Sequence, residues 1–429
     1  MRGCYTGPTA HFTAALVAAL ALATVAPGGA ASPAPTPANA LSLTVLHNLD
    51  GFPDGSFPQS GVIRQHGNLF GTAPAGGLNT CDGGAGCGTI FEVSKSGEYS
   101  VLYTFQGGSD GNNPLGLTQG PDGNFYGTTE GVNGAAQTLY KLTPTGQKTV
   151  LWDFTDNFSS GASPNSAPVF DNAGDLYGAA QYGGDRNCGY NGNGCGVIYE
   201  LDSKGKFHTF HVFKKVKDGI WPATGIVIDS HGAFYGSTAW GGDLRCPKGD
   251  PGFCGTVYKL SEDGTYTVLH RFTEKTDGAY PGAVTVDARG NVYGTTGSGG
   301  NTNCYLPLGC GTIFKIDASG KFSILFTFTS QEICCGPGYS GLTLDSADNL
   351  YGTTPINGAS NNGFLFELDT EGNFTDLFDF PPAGENGDGS AVSGVVRDKL
   401  GNFYATMQTG GTSQNCASLG CGTIIELSP

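Results

Sequence analysis

Charge is scarce in this chain. Only 14 % of residues are charged, and the 21 Lys and Arg are outnumbered by 37 Asp and Glu, for a formal net charge of −16. Nucleic acid and anionic membrane surfaces both demand a basic face, so neither is an expected partner. No segment keeps an apolar 3.6-residue period over three turns, which argues against a helical layer. The apolar run from Phe12 to Ala26 is too short to cross a bilayer, and no other stretch could. Neither HExxH nor the phosphate-loop signature occurs, so neither of these motifs assigns a catalytic residue.

Glycine is abundant, at 72 residues, and it returns on a beat. Seven times a turn is followed by a phrase like Gly-Asn-aromatic-Gly-Thr, and then by Gly-Thr-aliphatic-aromatic-charged-aliphatic. The marker residues are Gly71, Gly127, Gly178, Gly236, Gly294, Gly352 and Ala405, 51 to 58 residues apart. A period of this length is one supersecondary unit that must stack on its neighbours to bury its faces. In the fifth repeat, Pro281–Asp287, Asn291–Thr296, Gly311–Ile316 and Lys321–Phe328 read as four strands, with Asx and Gly at the tight turns. In the third strand, Phe91/Val93, Tyr140/Leu142, Tyr199/Leu201 and their equivalents share a face.

Four antiparallel strands, seven repeats and no helix predict an all-β, seven-bladed β-propeller over residues 41–429. The chain stops at a third strand, Gly422–Leu427, while Leu43-Thr-Val-Leu-His-Asn-Leu49 matches fourth strands such as Tyr99–Phe105. The N-terminal strand is therefore expected to complete the last blade and leave no open sheet end. Before it, residues 1–31 read as a secretory signal, with Arg2, the apolar run and small residues at Gly29–Ser32. Residues 32–40 (SPAPTPANA) read as a short spacer.

Cysteine usage agrees with export. Of 13 cysteines, ten fall in local pairs at one place in the repeat: Cys81/Cys87, Cys188/Cys195, Cys246/Cys254, Cys304/Cys310 and Cys416/Cys421. The second and sixth repeats lack both members, as a disulfide predicts. No His joins a pair, which disfavours zinc. Cys334 and Cys335 are left over, open to a strained vicinal bond, two free thiols or a bond to another chain.

The string G-N-L-Y-G-T-T … G-G … G-T-V-F-K-L … T-V-L-H-x-F, spread over Leu43 to Leu427, resembles the GloVer tandem-repeat proteins of secreted bacterial origin. The resemblance implies a repeat fold and a secreted, periplasmic or cell-surface location. Some such proteins carry a C-terminal anchor or sorting segment, which this sequence does not show before Pro429. The resemblance implies no established catalytic residues.

Three features could bear function. Asp54, Asp110, Asp218 and Asp277 stand in Asp-Gly-x-x-Pro segments, expected on the same propeller face as the cysteine loops, where several carboxylates could hold calcium or a cationic ligand. A turn role for Asp-Gly with Pro starting a strand is the competing reading. His47, His211 and His270 share their place with Tyr103, Trp152, Phe326 and Phe378, so a flat ring is wanted there for packing. At the residue before Gly-Gly, Ala75, Ser298 and Thr409 give way to Tyr182 and Trp240, and Trp221, Tyr190 and Tyr305 add aromatics to that face. Exposed rings on rigid loops suit glycan or peptide binding.

The expectation is an exported, monomeric binding or structural module without an evident cofactor, whose ligand docks on the loop face because the short turns opposite look alike in every blade. The alternative is a metal-dependent lactonase or lyase acting at the central mouth. The string Asp-x-x-Gly-Asn-x-Tyr at Asp229, Asp287, Asp345 and Asp398 looks like that of such propellers, but their acidic residue after the second strand is replaced here by Thr129, Thr296 and Thr354.

Overall fold

A computed structural model describes residues 41–429, apart from 156–157, 189–191, 215, 223, 243–253, 302–308, 330–340, 355–361, 382–393, 414 and 417–419. The chain folds into seven antiparallel sheets. Blade 1 is built from Ile63–Gln65, Asn68–Ala73, Thr89–Val93 and Tyr99–Thr104 in that order. In blades 3 and 4 the first strand is broken in two, Ala162–Pro164 with Val169–Phe170, and Ile220–Pro222 with Val227–Ile228. The last blade takes its first three strands from Val396–Arg397, Phe403–Met407 and Thr423–Ser428, and its fourth from Ser42–Asn48. That pairing sets Leu43 opposite Leu427 and Val45 opposite Ile425. This is a seven-bladed β-propeller closed by its N-terminal strand, as the repeat predicted.

The third strands show why the repeat looks as it does. In all seven blades their burial runs identically along five residues, and the one half-exposed place is the charged residue, Glu92 or Lys141 for example. Ile90 and Phe91, adjacent and on opposite faces, are both fully buried. Each blade is covered on both sides by its neighbours, so the strand is apolar on both faces rather than on the one that period-two reading suggested.

The marker glycine follows from the same packing. A Cβ on Gly71 would lie 2.5 Å from Cζ of Phe91, and on Gly236 2.4 Å from the Tyr258 hydroxyl. The large ring of the third strand lies over the second and leaves no room for a side chain. In blade 7 the ring is replaced by Ile425, and the residue paired with it is Ala405.

Two seams run around the ring. Near the axis, second-strand hydroxyls bond the first strand of the next blade: Thr128 Oγ1 donates to Ser166 O (2.9 Å), Ser237 Oγ to Gly282 O (2.8 Å), and Thr406 Oγ1 to Ser60 O (2.9 Å) across the closure. At the outer strands, rings stack from blade to blade: His47 on Tyr99 (centroids 3.8 Å apart), Trp152 on Phe207 (4.0 Å), His211 on Tyr266 (4.5 Å), His270 on Phe322 (3.7 Å) and Phe326 on Phe374 (4.2 Å). Between Tyr103 and blade 2 the partner is the Lys148 ammonium, 5.6 Å from the ring centroid. The flat-ring place is thus a packing place. His211 is pushed down to about 4 by burial and by the Lys214 charge, so it is neutral at physiological pH.

Candidate functional site

On the loop face, the residue before the proline in or just ahead of a first strand has an unusual backbone in five blades. Phe57, Asn113, Ser163, Trp221 and Tyr280 have φ between +53° and +60°, a region costly for side chains and further restricted before proline. The reason is a bond between blades. Each N–H of four of these residues donates to the carbonyl of the second cysteine of the preceding blade: Phe57 to Cys421 (2.7 Å), Asn113 to Cys87 (3.0 Å), Trp221 to Cys195 (2.9 Å) and Tyr280 to Cys254 (3.2 Å). Blade 2 has no cysteines, and there the Ser163 N–H finds Oε1 of Gln137 at 2.8 Å. The glycine after the cysteine accepts the proline ring: a Cβ on Gly196 would sit 2.6 Å from Pro222 Cδ. Cys-Gly of one blade and x-Pro of the next form a clamp.

Disulfides stiffen this clamp. Cys81–Cys87, Cys188–Cys195 and Cys416–Cys421 are bonded. Cys254 and Cys310 are disulfide-bonded as well, while their expected partners Cys246 and Cys304 lie outside the described residues, as do Cys334, Cys335, Tyr190 and Tyr305. The sulfurs lie against the next blade's lead-in turn. Those of Cys81 and Cys87 are 3.0 and 3.1 Å from where a Cβ of Gly107 would be.

The Asp-Gly carboxylates serve these turns. Asp54 Oδ2 lies 2.8 Å from His47 Nε2, seven residues earlier on the fourth strand. Asp110 accepts from Tyr103 Oη (2.8 Å), Lys148 Nζ (2.7 Å) and the Gln106 N–H (2.8 Å). Asp277 faces His270 Nε2 at 3.1 Å and accepts from Thr273 Oγ1 at 2.6 Å. Burial pushes the Asp277 carboxyl up, but the His270 and Thr273 bonds outweigh it and hold it below the usual range. Asp218 lies 3.7 Å from the Arg271 guanidinium, and its carbonyl accepts from Tyr266 Oη at 2.6 Å. The four come from four blades and each carboxylate has its own separate partners, which does not match the convergent oxygen cage of a calcium site. Among the described residues no three His, Cys, Asp or Glu side chains are grouped to hold a metal ion.

The loop-face aromatics do converge. Tyr182 ends the second strand of blade 3, Leu176–Tyr182, and Trp240 ends that of blade 4, Phe234–Trp240. Trp221 lies between them, edge-on to Tyr182 (centroids 5.4 Å) and tilted against Trp240 (4.4 Å). Its own position departs from the expected exposure: Trp221 is only 8 % exposed, packed with Cys188 and Cys195, and its Nε1–H donates to Gly194 O at 2.9 Å. The φ of the clamp turns its side chain into the seam. Tyr182 and Trp240 are half-buried, and they flank this fixed indole.

At the opposite face, Asp-x-x-Gly-Asn-x-Tyr is a self-contained turn. Asp287 accepts from the N–H groups of Arg289 and Asn291 (2.9 Å each), from Asn291 Nδ2 (2.7 Å) and from Tyr293 Oη (3.2 Å). Burial raises its pKa, but these bonds and the Arg289 guanidinium prevail and leave it at about 2. Asp345 and Asp398 repeat the arrangement. The threonines after the second strand are buried framework: Thr129 Oγ1 lies 2.9 Å from Thr138 Oγ1, and Thr296 Oγ1 lies 3.0 Å from Thr312 Oγ1.

One family, the Gloeobacter/Verrucomicrobia repeat, has a profile that matches residues 35–191 and 190–424. The chain belongs to this family. No match was found among curated proteins. Among solved structures, this Gloeobacter/Verrucomicrobia repeat protein is similar to the extracellular domain of a hybrid two-component system of B. thetaiotaomicron, at 13 % identity and TM-score 0.52 over 91 % of this chain and 41 % of that one. The extracellular domain of a one-component system from the same organism matches at 12 % identity and TM-score 0.51, over 91 % and 42 %. A gluconolactonase of Xanthomonas campestris matches at 14 % identity and TM-score 0.43, over 79 % and 89 %. At these identities the likeness is one of fold. The chain spans about two-fifths of the length of the two B. thetaiotaomicron structures.

Against the family framework the short-turn face is less uniform than the repeat suggested. A cavity of about 360 Å³ opens there, lined by Arg64, Val396, Arg397, Asp398, Lys399 and Leu400. The signal in the sequence was departure from the repeat, the same signal that marked Tyr182 and Trp240.

Proposed function

We propose that this chain is an exported, disulfide-stapled propeller that works as a binding module, with a glycan or peptide docking on the loop face at the seam of blades 3 and 4. The observation that carries the reading is the Tyr182–Trp221–Trp240 cluster. Two half-buried rings flank an indole locked by its hydrogen bond and by the Cys188–Cys195 staple. Such a platform offers contact area with little conformational entropy to lose on binding. The disulfides and the predicted leader support export, to the extracellular space, the periplasm or the cell surface. A module is favoured over a lactonase or lyase because the loop-face aspartates and the second-strand threonines are already engaged within the framework.

The reading is tested by probing glycan and peptide arrays with the purified chain. Recognition of one ligand class, competed by the soluble ligand, is expected. Failure to recognise either class overturns the reading.

A further inference from the structure

Four departures from the repeat meet at the seam where the ring closes. In the turn between first and second strands, five blades carry an aspartate (Asp171, Asp229, Asp287, Asp345, Asp398) at the place that Arg64 occupies in blade 1. The residue before it is Ile63, Phe170, Ile228, Val286 or Leu344 in five other blades and Gln119 in blade 2, but Arg397 in blade 7. The next two places hold Asn172-Ala173, Ser230-His231 and Ser346-Ala347 in blades 3, 4 and 6, Gln65-His66, Pro121-Asp122 and Ala288-Arg289 in blades 1, 2 and 5, and Lys399-Leu400 here. Closure of blade 7 onto blade 1 brings all four to the 360 Å³ cavity.

Their partners leave donors available. Arg64 lies 3.5 Å from Asp398 Oδ2 and 5.4 Å from the centroid of Tyr404. Arg397 lies 3.7 Å from Asp345 Oδ2 and rides over Tyr351 and Phe403 at 5.0 and 5.5 Å. Both ion-pair distances exceed hydrogen-bonding length, whereas Arg289 meets Asp348 at 2.7 Å. The Nε of Arg397 is buried with no hydrogen-bond partner. Asp398, the one carboxylate in the lining, accepts from the N–H groups of Leu400 (2.9 Å) and Asn402 (3.0 Å) and from Tyr404 Oη (3.3 Å). The aromatic faces and flanking acids orient the two guanidiniums without saturating them. Beside them Leu400 is 81 % exposed, a large apolar side chain at a turn tip.

We infer that this cavity binds a small organic anion, its carboxylate or phosphate held by Arg64, Arg397 and Lys399 and an adjoining apolar group laid against Leu400 and Val396. Guanidinium forks match such oxyanions in geometry as well as charge. The site lies on the face opposite the aromatic cluster and is independent of it.

The test uses the full chain, titrated calorimetrically at low ionic strength with hexanoate, acetate and inorganic phosphate. Hexanoate is expected to bind more tightly than acetate, through the apolar contact. Arg397→Leu, which installs the residue of blade 6, and Lys399→Ser, which installs that of blades 4 and 6, should each weaken every bound probe at least tenfold. Leu400→Ala should weaken hexanoate and leave phosphate unchanged. Unfolding midpoints on the same samples verify that the variants fold, and the exposed Lys399 keeps the test open if Arg397→Leu does not. Phosphate binding alone, lost in the two charge variants, would support a phosphate-bearing source over a carboxylate. Failure of all three probes to bind the unaltered chain, or equal binding by the charge variants, overturns the inference.

Discussion

Replacing Gly196 by alanine tests the clamp between blades. Gly196 has φ +95°, and an added Cβ would lie 2.6 Å from Pro222 Cδ, 2.7 Å from Gln181 O and 2.8 Å from Ala180 O. None of these atoms can rotate away. Gly205, in a turn of the same blade, has φ +82° and nothing within 4 Å of its would-be Cβ, so it isolates the backbone contribution. Forcing alanine into the left-handed region costs about 1–2 kcal/mol in either case. At Gly196, overpacking adds about 1–3 kcal/mol, and parting the blades weakens the Trp221 N–H bond to Cys195, worth about 1 kcal/mol. Gly196→Ala should therefore destabilise by about 3–6 kcal/mol and Gly205→Ala by about 1–2 kcal/mol. The assay is the urea midpoint of each oxidised protein. Equal shifts would refute the clamp.

Asp287 has a folded pKa of about 2, below its unfolded value of about 4, so its stabilisation is present above pH ~4 and fades as pH falls towards 2. The gap in unfolding midpoint between the unaltered chain and Asp287→Asn should be widest near pH 7 and shrink by pH 2.5, and a gap independent of pH would contradict the turn electrostatics. Replacing both Cys188 and Cys195 by serine should cost about 2–2.5 kcal/mol, from the short loop they close, and should loosen Trp221 detectably by fluorescence, whereas an unchanged midpoint would show that the loop needs no staple. N-terminal sequencing of exported protein should begin between Ser32 and Leu41, and recovery of Met1 would remove the predicted leader.

The fold was legible because each blade repeats its constraints. Gly71, Gly127 and their equivalents are glycine where the ring of the third strand lies over them, and blade 7 substitutes Ala405 where that ring becomes Ile425. The shared place of His47, Tyr103 and Trp152 marked the outer stack by its tolerance of any flat ring. The burial of Trp221 was not legible, because it depends on a positive φ set by a bond to the preceding blade, and nothing local to Trp221-Pro222 announces it. The Arg64–Arg397 cavity was missed for a related reason: the two residues are more than three hundred positions apart and meet only when the ring closes. Both were nonetheless exceptions to the repeat, and in a tandem array the exceptions are where individual function can reside.

The claim that function rests on the aromatic cluster is tested most directly by calorimetric titration of an array-identified ligand into the unaltered chain, Tyr182→Ala and Trp240→Ala. Loss of one stacking ring removes about 1 kcal/mol or more, so each variant should bind about fivefold more weakly or worse. Their unfolding midpoints should stay close to that of the unaltered chain, since both rings are half-buried at strand ends while Trp221 holds the seam. Affinity unchanged in both variants would contradict the account.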